Sequence, residues 1–322
     1  MTQLPPNNAM RVKPPALRRG DRVGIIAPAS NIKRADLEAG CAALQRSGYE
    51  PFYFDSIFDQ DLYFAGTVER RVRELEAMFV RDDVRAIVCA RGGYGANYLL
   101  GALDIEKVKA HPKIFVGYSD ATSLMTHFLD RVGLVTLHGP MAAKDWAHAD
   151  GVEMTSWRAA VEGAAEWEIA LGPSAIALAE GVARGPLYGG CLSMLVASLG
   201  TPYEIQSEGK ILFLEDVAVK PYQVDRMLMQ LKLAGKLNGV RGLVFGEMTD
   251  CFQVANLQKV NQGYTLKDVV MRIVGGLGVP VAYGLRSGHV ASANITLPLG
   301  VEAELSVSGG VVQLRILEAA TY

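Results

Sequence analysis

Residues 113–132, KIFVGYSDATSLMTHFLDRV, decide the fold. A short apolar, β-branched run ends at Gly117, a tight turn follows at Tyr118-Ser119-Asp120, and apolar residues then return at helical spacing over 121–131. Leu124, Met125, Phe128, Leu129 and Val132 share one face, which buries that helix against a sheet. The same order repeats upstream. VGIIA from Val23 reads as a strand, 33–47 as an amphipathic helix, 51–54 as a strand, 68–80 as a charged helix, and 85–90 as a strand before a Gly-rich turn and a helix near 95–101. Strands that alternate with helices make a parallel sheet covered by helices.

The pattern loosens at about 145–185, where the run AAEWEIALGPSAIALAEG reads as a crossover with short antiparallel strands. A second unit starts at Gly185, with a helix over 192–199, a strand over 211–214, a long helix over 223–234 and a strand over 242–245. After Val279 come four Gly/Pro-punctuated strands, VPVAYGL, ANITLPLG, VEAELSV and GVVQLRIL, antiparallel in character. The expected division is therefore an N-terminal α/β domain over 1–165, a crossover over 166–184, and a mixed α/β domain over 185–322.

Composition narrows the function. Half the residues are apolar and a fifth are charged, which excludes a disordered or collagen-like chain. Lys+Arg 32 against Asp+Glu 34 leaves a net charge of −2, so neither nucleic acid nor an anionic membrane is an expected partner. The longest uncharged stretch, 185–203, holds four Gly and two Pro and does not read as a membrane span. MTQLPPNNAMRVKPP lacks the apolar run of a signal peptide, so a cytoplasmic protein is expected. Cysteines 41, 89, 191 and 251 form no CxxC and read as reduced, mostly buried thiols. Histidines 111, 127, 138, 148 and 289 form no HExxH or HxH, and no metal or cofactor is expected.

Four segments can carry chemistry. Ser119 lies where a strand turns sharply into a helix, which would lift its hydroxyl above the sheet edge. The plainer alternative is an N-cap shared with Asp120 or Thr122. The loop Cys89-Ala-Arg91-Gly92-Gly93-Tyr94-Gly95 also follows a strand and can aim backbone N–H groups at an anion or a developing oxyanion, but it lacks the spacing of a dinucleotide or phosphate loop. Glu215 and Asp216 end an apolar strand, where they face solvent, a helix N-terminus, a cation or a catalytic base. His289, in Arg286-Ser-Gly-His-Val, and His138, in Leu137-His-Gly-Pro, both follow strands, and spacing does not choose between them as general base.

ARGGYG, VGYSD, LHGPM, GPLYGGCLSML, LFLEDVAVKPYQVDRML and GHVASANITLPLG occur in this order over about residues 22–316. Together they resemble the LD-carboxypeptidase family, the serine peptidases that include microcin C self-immunity proteins. The resemblance implies a flavodoxin-like N-terminal domain and a C-terminal domain that supplies the second and third members of a Ser-Glu-His set. It implies Ser119 as nucleophile, Glu215 as the group that orients the imidazole, His289 as general base, and the N–H groups of Gly92 and Asp120 as the oxyanion hole. It also implies a homodimer and release of terminal D-alanine from a muropeptide tetrapeptide, with hydrolysis of an aminoacyl-nucleotide amide as the alternative; Trp146, Trp157 and Trp167 leave that alternative open. A non-catalytic anion or small-molecule binder is a further alternative. Two places depart from the family's usual pattern: Cys191 where many relatives have Asn, and Val219 where they have Glu. A carboxypeptidase needs a local cation or a helix N-terminus for the terminal carboxylate, and Arg91, Lys220 and Arg226 are the nearest candidates in sequence. Gly92, Gly93 and Gly190 are the expected small walls that admit a D-methyl group.

Overall fold

The computed structural model describes residues 11–171, 175–251, 263–290 and 292–322. Part of the crossover run (172–174) and Ala291 of the GHVASANITLPLG motif lie outside the described residues. Strands β1 (Arg22–Ile26), β2 (Glu50–Phe52), β3 (Val84–Cys89), β4 (Ile114–Gly117) and β5 (Thr136–His138) run parallel in the order β2-β1-β3-β4-β5. This is the flavodoxin-like order, in which sites form beyond the C-terminal ends of the strands. Helices α1 (Arg34–Arg46), α2 (Val68–Val80), α3 (Ile105–Ala110) and α4 (Thr122–Val132) connect them, and α5 (Met154–Glu162) follows.

The second sheet is mixed. It contains β6 (Trp167–Ile169), β7 (Ile176–Ala179), β8 (Gly181–Cys191), β9 (Ile211–Glu215), β10 (Gly242–Gly246) and β11 (Val281–Leu285), with α6 (Leu192–Ala197), α7 (Pro221–Leu233) and α8 (Leu266–Val274) between strands. Of the last three strands, β13 (Glu302–Ser308) and β14 (Val311–Ile316) extend this sheet, whereas β12 (Leu297–Leu299) pairs antiparallel with β5 and closes the edge of the first. Strand β8 joins two pairings: residues 181–186 lie antiparallel to β13 and residues 187–191 parallel to β9.

Three differences from the sequence reading bear on the site. ANITLPLG contributes its strand to the first sheet. VPVAYGL is antiparallel only to β7, for β11 runs parallel to β10. The segment near 95–101 forms one short 3₁₀ turn, Ala96–Tyr98, because it is tied from the side: Arg71 donates to the Gly95 carbonyl (2.8 Å) and Asp120 accepts from the Ala96 N–H (2.7 Å). Helix α4 buries more than one face. Its apolar stripe meets the first sheet, while its other side meets β8 and α6, where Tyr188 bonds Asp130. Among the described residues, no helix is long and apolar enough to cross a membrane.

Candidate active site

The turn after β4 holds Ser119 at φ +61°, in the left-handed region that a residue with a β-carbon adopts at a cost of about 1–3 kcal/mol. Ser119 opens a 3₁₀ turn (Ser119–Ala121) that runs directly into α4, so its hydroxyl stands at the C-terminal edge of the parallel sheet.

Glu215 ends β9 and is buried. Its Oε2 accepts from both Nδ1 (2.8 Å) and the backbone N–H (3.0 Å) of His289. The His289 Nε2 lies 3.0 Å from Ser119 Oγ. A carboxylate only accepts, so the Nδ1 proton points at Glu215 and the Nε2 of the neutral ring is left to accept from the Ser119 hydroxyl. Such a chain can take a proton off the serine and hold the resulting imidazolium. The loop that carries His289 is fixed by Asn294, whose side chain accepts from the Gly288 N–H (3.0 Å) and donates to the Gly288 carbonyl (3.2 Å). Burial by itself would push the His289 pKa down, but Glu215 and Asp216 outweigh it and raise it above 6.5. Burial would likewise raise the Glu215 carboxyl, yet His289 and His138, one beside each oxygen, hold it well below the usual carboxylate range.

Asp216 does separate work. It accepts from the Ser193 N–H (2.8 Å) in the first turn of α6 and from Val217 N–H (2.9 Å), so the helix start it serves is that of α6, before β9, and not that of the helix that follows it in sequence. Asp120 also uses its side chain: by accepting from Ala96 N–H it joins the Ser119 turn to the end of the ARGGYG loop. Burial pushes its carboxyl up to about 6, against the pull of the Ala96 N–H and Arg71.

A cleft of about 660 Å³ opens over Ser119 and His289. Arg91, Gly92 and Gly93 are among the residues that line it. Lys220, Arg226 and Gly190 are not. Lys220, before the first turn of α7, and Arg226, within that helix, are exposed and not among the residues that line the cleft. Gly190 packs on α4: a β-carbon there would lie 2.7 Å from Thr122 Oγ1, so its smallness serves contact between β8 and α4 instead of a substrate wall. Two cleft cations escaped the sequence reading, Lys33 before α1 and Lys144 after β5. Neither stands in a motif; only their loops' position above the C-terminal strand ends, where open α/β sheets place sites, points to them. Among the described residues, no group of three or more His, Cys, Asp or Glu is arranged to hold a metal ion.

Family models for the LD-carboxypeptidase N-terminal domain and C-terminal domain match residues 23–139 and 184–305. The chain belongs to the LD-carboxypeptidase family. It is 35% identical to a probable murein peptide carboxypeptidase of Bacillus subtilis (strain 168) over 97% of this chain and 98% of that protein. It is 27% identical to the microcin C7 self-immunity protein MccF of Escherichia coli over 88% of this chain and 90% of that protein. Among solved structures, muramoyltetrapeptide carboxypeptidase from Oxalobacter formigenes superposes with a TM-score of 0.81 at 30% identity, covering 92% of this chain and 99% of that one. In this LD-carboxypeptidase family member Cys191 is buried, and burial, with Glu215 and Asp216 nearby, pushes its thiol pKa far up. It is no thiolate nucleophile.

Proposed function

We propose that the chain is a serine carboxypeptidase that releases terminal D-alanine from muropeptide tetrapeptides by hydrolysing the L-to-D peptide bond, in the cytoplasm and as a homodimer. The observation that carries this reading is the Ser119 hydroxyl, 3.0 Å from His289 Nε2 in a cleft that also presents Lys33, Arg91 and Lys144.

Ser119 Oγ attacks the carbonyl carbon while its proton passes to His289 Nε2, and Glu215 balances the imidazolium that forms. The Gly92 and Asp120 N–H groups receive the negative oxygen. Collapse breaks the C–N bond, and the Nε2 proton leaves with the D-alanine amine. Water then attacks the acyl ester, again giving its proton to Nε2, and the shortened peptide departs as Ser119 recovers its proton. One or more of the three cleft cations pairs with the free terminal carboxylate and so selects an exopeptidase cut.

The immunity-type hydrolase has less support. Of the three tryptophans that leave it open, Trp146 and Trp157 pack edge to face with each other, 3% and 0% exposed, and the half-buried Trp167 on β6 is not among the residues that line the cleft. The direct test incubates the protein with a muramoyl tetrapeptide that ends in D-alanine and follows the released amino acid by mass spectrometry. Release that disappears in Ser119→Ala is the expected result. No release, or release that survives the substitution, overturns the proposal, and failure of a fluorophosphonate to label Ser119 would favour a non-catalytic binding protein.

A further inference from the structure

The structure points to His138 as a second histidine on Glu215: we propose that its Nε2–H is aimed at Glu215 Oε1 and fixes the carboxylate for His289. This rests on the reading of Glu215 and His289 given above. His138 ends β5 and is wholly buried, outside the cleft lining, with its ring edge to face with Phe213 (5.1 Å between centroids) and tilted against Tyr118 (5.9 Å).

The argument is a count of protons. Glu215 Oε2 is taken by His289, while Oε1 is buried without a hydrogen-bond partner, and so is His138 Nε2. These two unpartnered atoms face each other at 3.8 Å. Two buried acceptors in that position would repel and leave both unsatisfied, at a cost that native interiors avoid. On its other side, His138 Nδ1 lies 2.8 Å from Ser287 Oγ, which lies 2.8 Å from the Ile295 carbonyl. Ser287 has one proton to give. If it goes to Ile295, Nδ1–H donates to Ser287, and an attractive Glu215 contact then needs a second ring proton on Nε2, which makes the ring an imidazolium beside the carboxylate. If it goes to Nδ1, the neutral ring carries its proton on Nε2. Avoiding two facing acceptors therefore puts Nε2–H toward Oε1 in both arrangements, as an imidazolium in the first and as the neutral ring in the second. The gap exceeds a direct hydrogen bond, and such contacts shorten as a reacting complex forms.

The carboxylate is thereby held by one histidine on each oxygen. The other charged or titratable groups around it are Asp216 beside it on the strand end, Cys191 opposite it on β8, Cys251, Tyr118 with Asp145 bonded to its hydroxyl, and Lys144 acting on His289. Removal of His138 leaves Glu215 less compensated, so it grips the His289 proton harder. His138 is a positioning residue, and its loss reaches the reaction through His289.

The test compares His138→Phe, His138→Gln and Ser287→Ala in two measurements. One is the pH profile of tetrapeptide hydrolysis; the other is an NMR titration of the His289 ring, assigned by its loss in His289→Gln, which needs no turnover. His138→Phe should lower kcat about 10- to 100-fold with little change in KM and move the His289 midpoint upward. His138→Gln, which can place an amide N–H near Oε1, should recover most of the loss, and Ser287→Ala should shift the midpoint in the same direction by less. An unmoved His289 midpoint in His138→Phe overturns the inference, as does a His138→Gln variant no better than His138→Phe. If His138→Phe does not fold, an unmoved midpoint in Ser287→Ala decides against it. Should the wild type fail to hydrolyse the tetrapeptide, the function proposal falls, and the NMR titration still decides the role of His138.

Discussion

A β-carbon on Gly92 would lie 2.8 Å from Ser119 Oγ and 3.3 Å from the Asp120 nitrogen. The backbone of the ARGGYG loop thus rests directly on the serine turn, at the place proposed above for the oxyanion. Gly92→Ala must push Ser119 or the loop aside. We expect kcat to fall about 10²- to 10³-fold, the usual loss for one oxyanion donor. A thermal melt that stays close to wild type separates this effect from misfolding, and a kcat close to wild type would remove Gly92 from the site.

Ser119→Ala should lower activity by about 10⁴- to 10⁶-fold, because a nucleophile and its base act as one unit. Cys191→Ser should keep most of it, and thiol reagents should not inhibit, since burial pushes the Cys191 thiol far from ionisation. Inactivation by a thiol reagent that Cys191→Ser prevents would reverse the two roles.

The pH profile carries a sign. A general base must be unprotonated, and Glu215 and Asp216 lift His289 above 6.5, so kcat/KM should climb with pH through a midpoint above that value. In Glu215→Gln the lifting charge is gone and burial acts with less opposition. The midpoint should move down while kcat falls about 10²- to 10⁴-fold, because the amide no longer selects the right tautomer. A midpoint that stays in place would mean that Asp216 holds the imidazole.

Lys144 lines the cleft and also lowers the His289 pKa. Lys144→Met should raise KM for a free-acid tetrapeptide about 10-fold, the size of one charge-assisted hydrogen bond. Against the C-terminal amide, which wild type should cleave at least about 100-fold more slowly, the same substitution should matter little. Equal losses on acid and amide would assign the carboxylate to Lys33 or Arg91.

Asp120 predicts a stability effect. In the native chain it holds its proton to about pH 6, against 3.8 as the ordinary value, so the folded state binds more protons between those limits and stability falls as pH rises across them. Asp120→Asn removes that titration and keeps an oxygen for Ala96 N–H. Its melting temperature relative to wild type should gain on the order of 2 °C between pH 4 and pH 7. A relative loss over the same interval would show that the ionised carboxylate and Arg71 stabilise the fold.

The Ser119 turn is legible in the sequence because three local signals agree: a β-branched run, a glycine at its end, and helical spacing afterward. Strand β8 is not legible. Gly181, Gly185, Gly189 and Gly190 interrupt its alternation, and its partners β13 and β9 lie far along the chain. Helices α5 and α8 do carry readable signs, for Glu153 and Thr265 cap their first turns. Lys33 and Lys144 show the limit of motif reading, since loop cations look alike until the sheet puts them over one cleft. His138 and His289 show it again: each follows a strand, and only the direction of each ring distinguishes the one that meets Ser119.

Strand β12 pairs with β5 just eight residues after His289 in the chain. Until that stretch leaves the ribosome, the nucleophile's own sheet has an open border on the β5 side, the kind of unpaired edge that invites other chains. Arrival of the final strand seals the border and brings the base with it. Synthesis therefore closes this sheet and brings His289 to Ser119 within the same few residues, and a nascent chain cut short before them has Ser119 without its His289 partner.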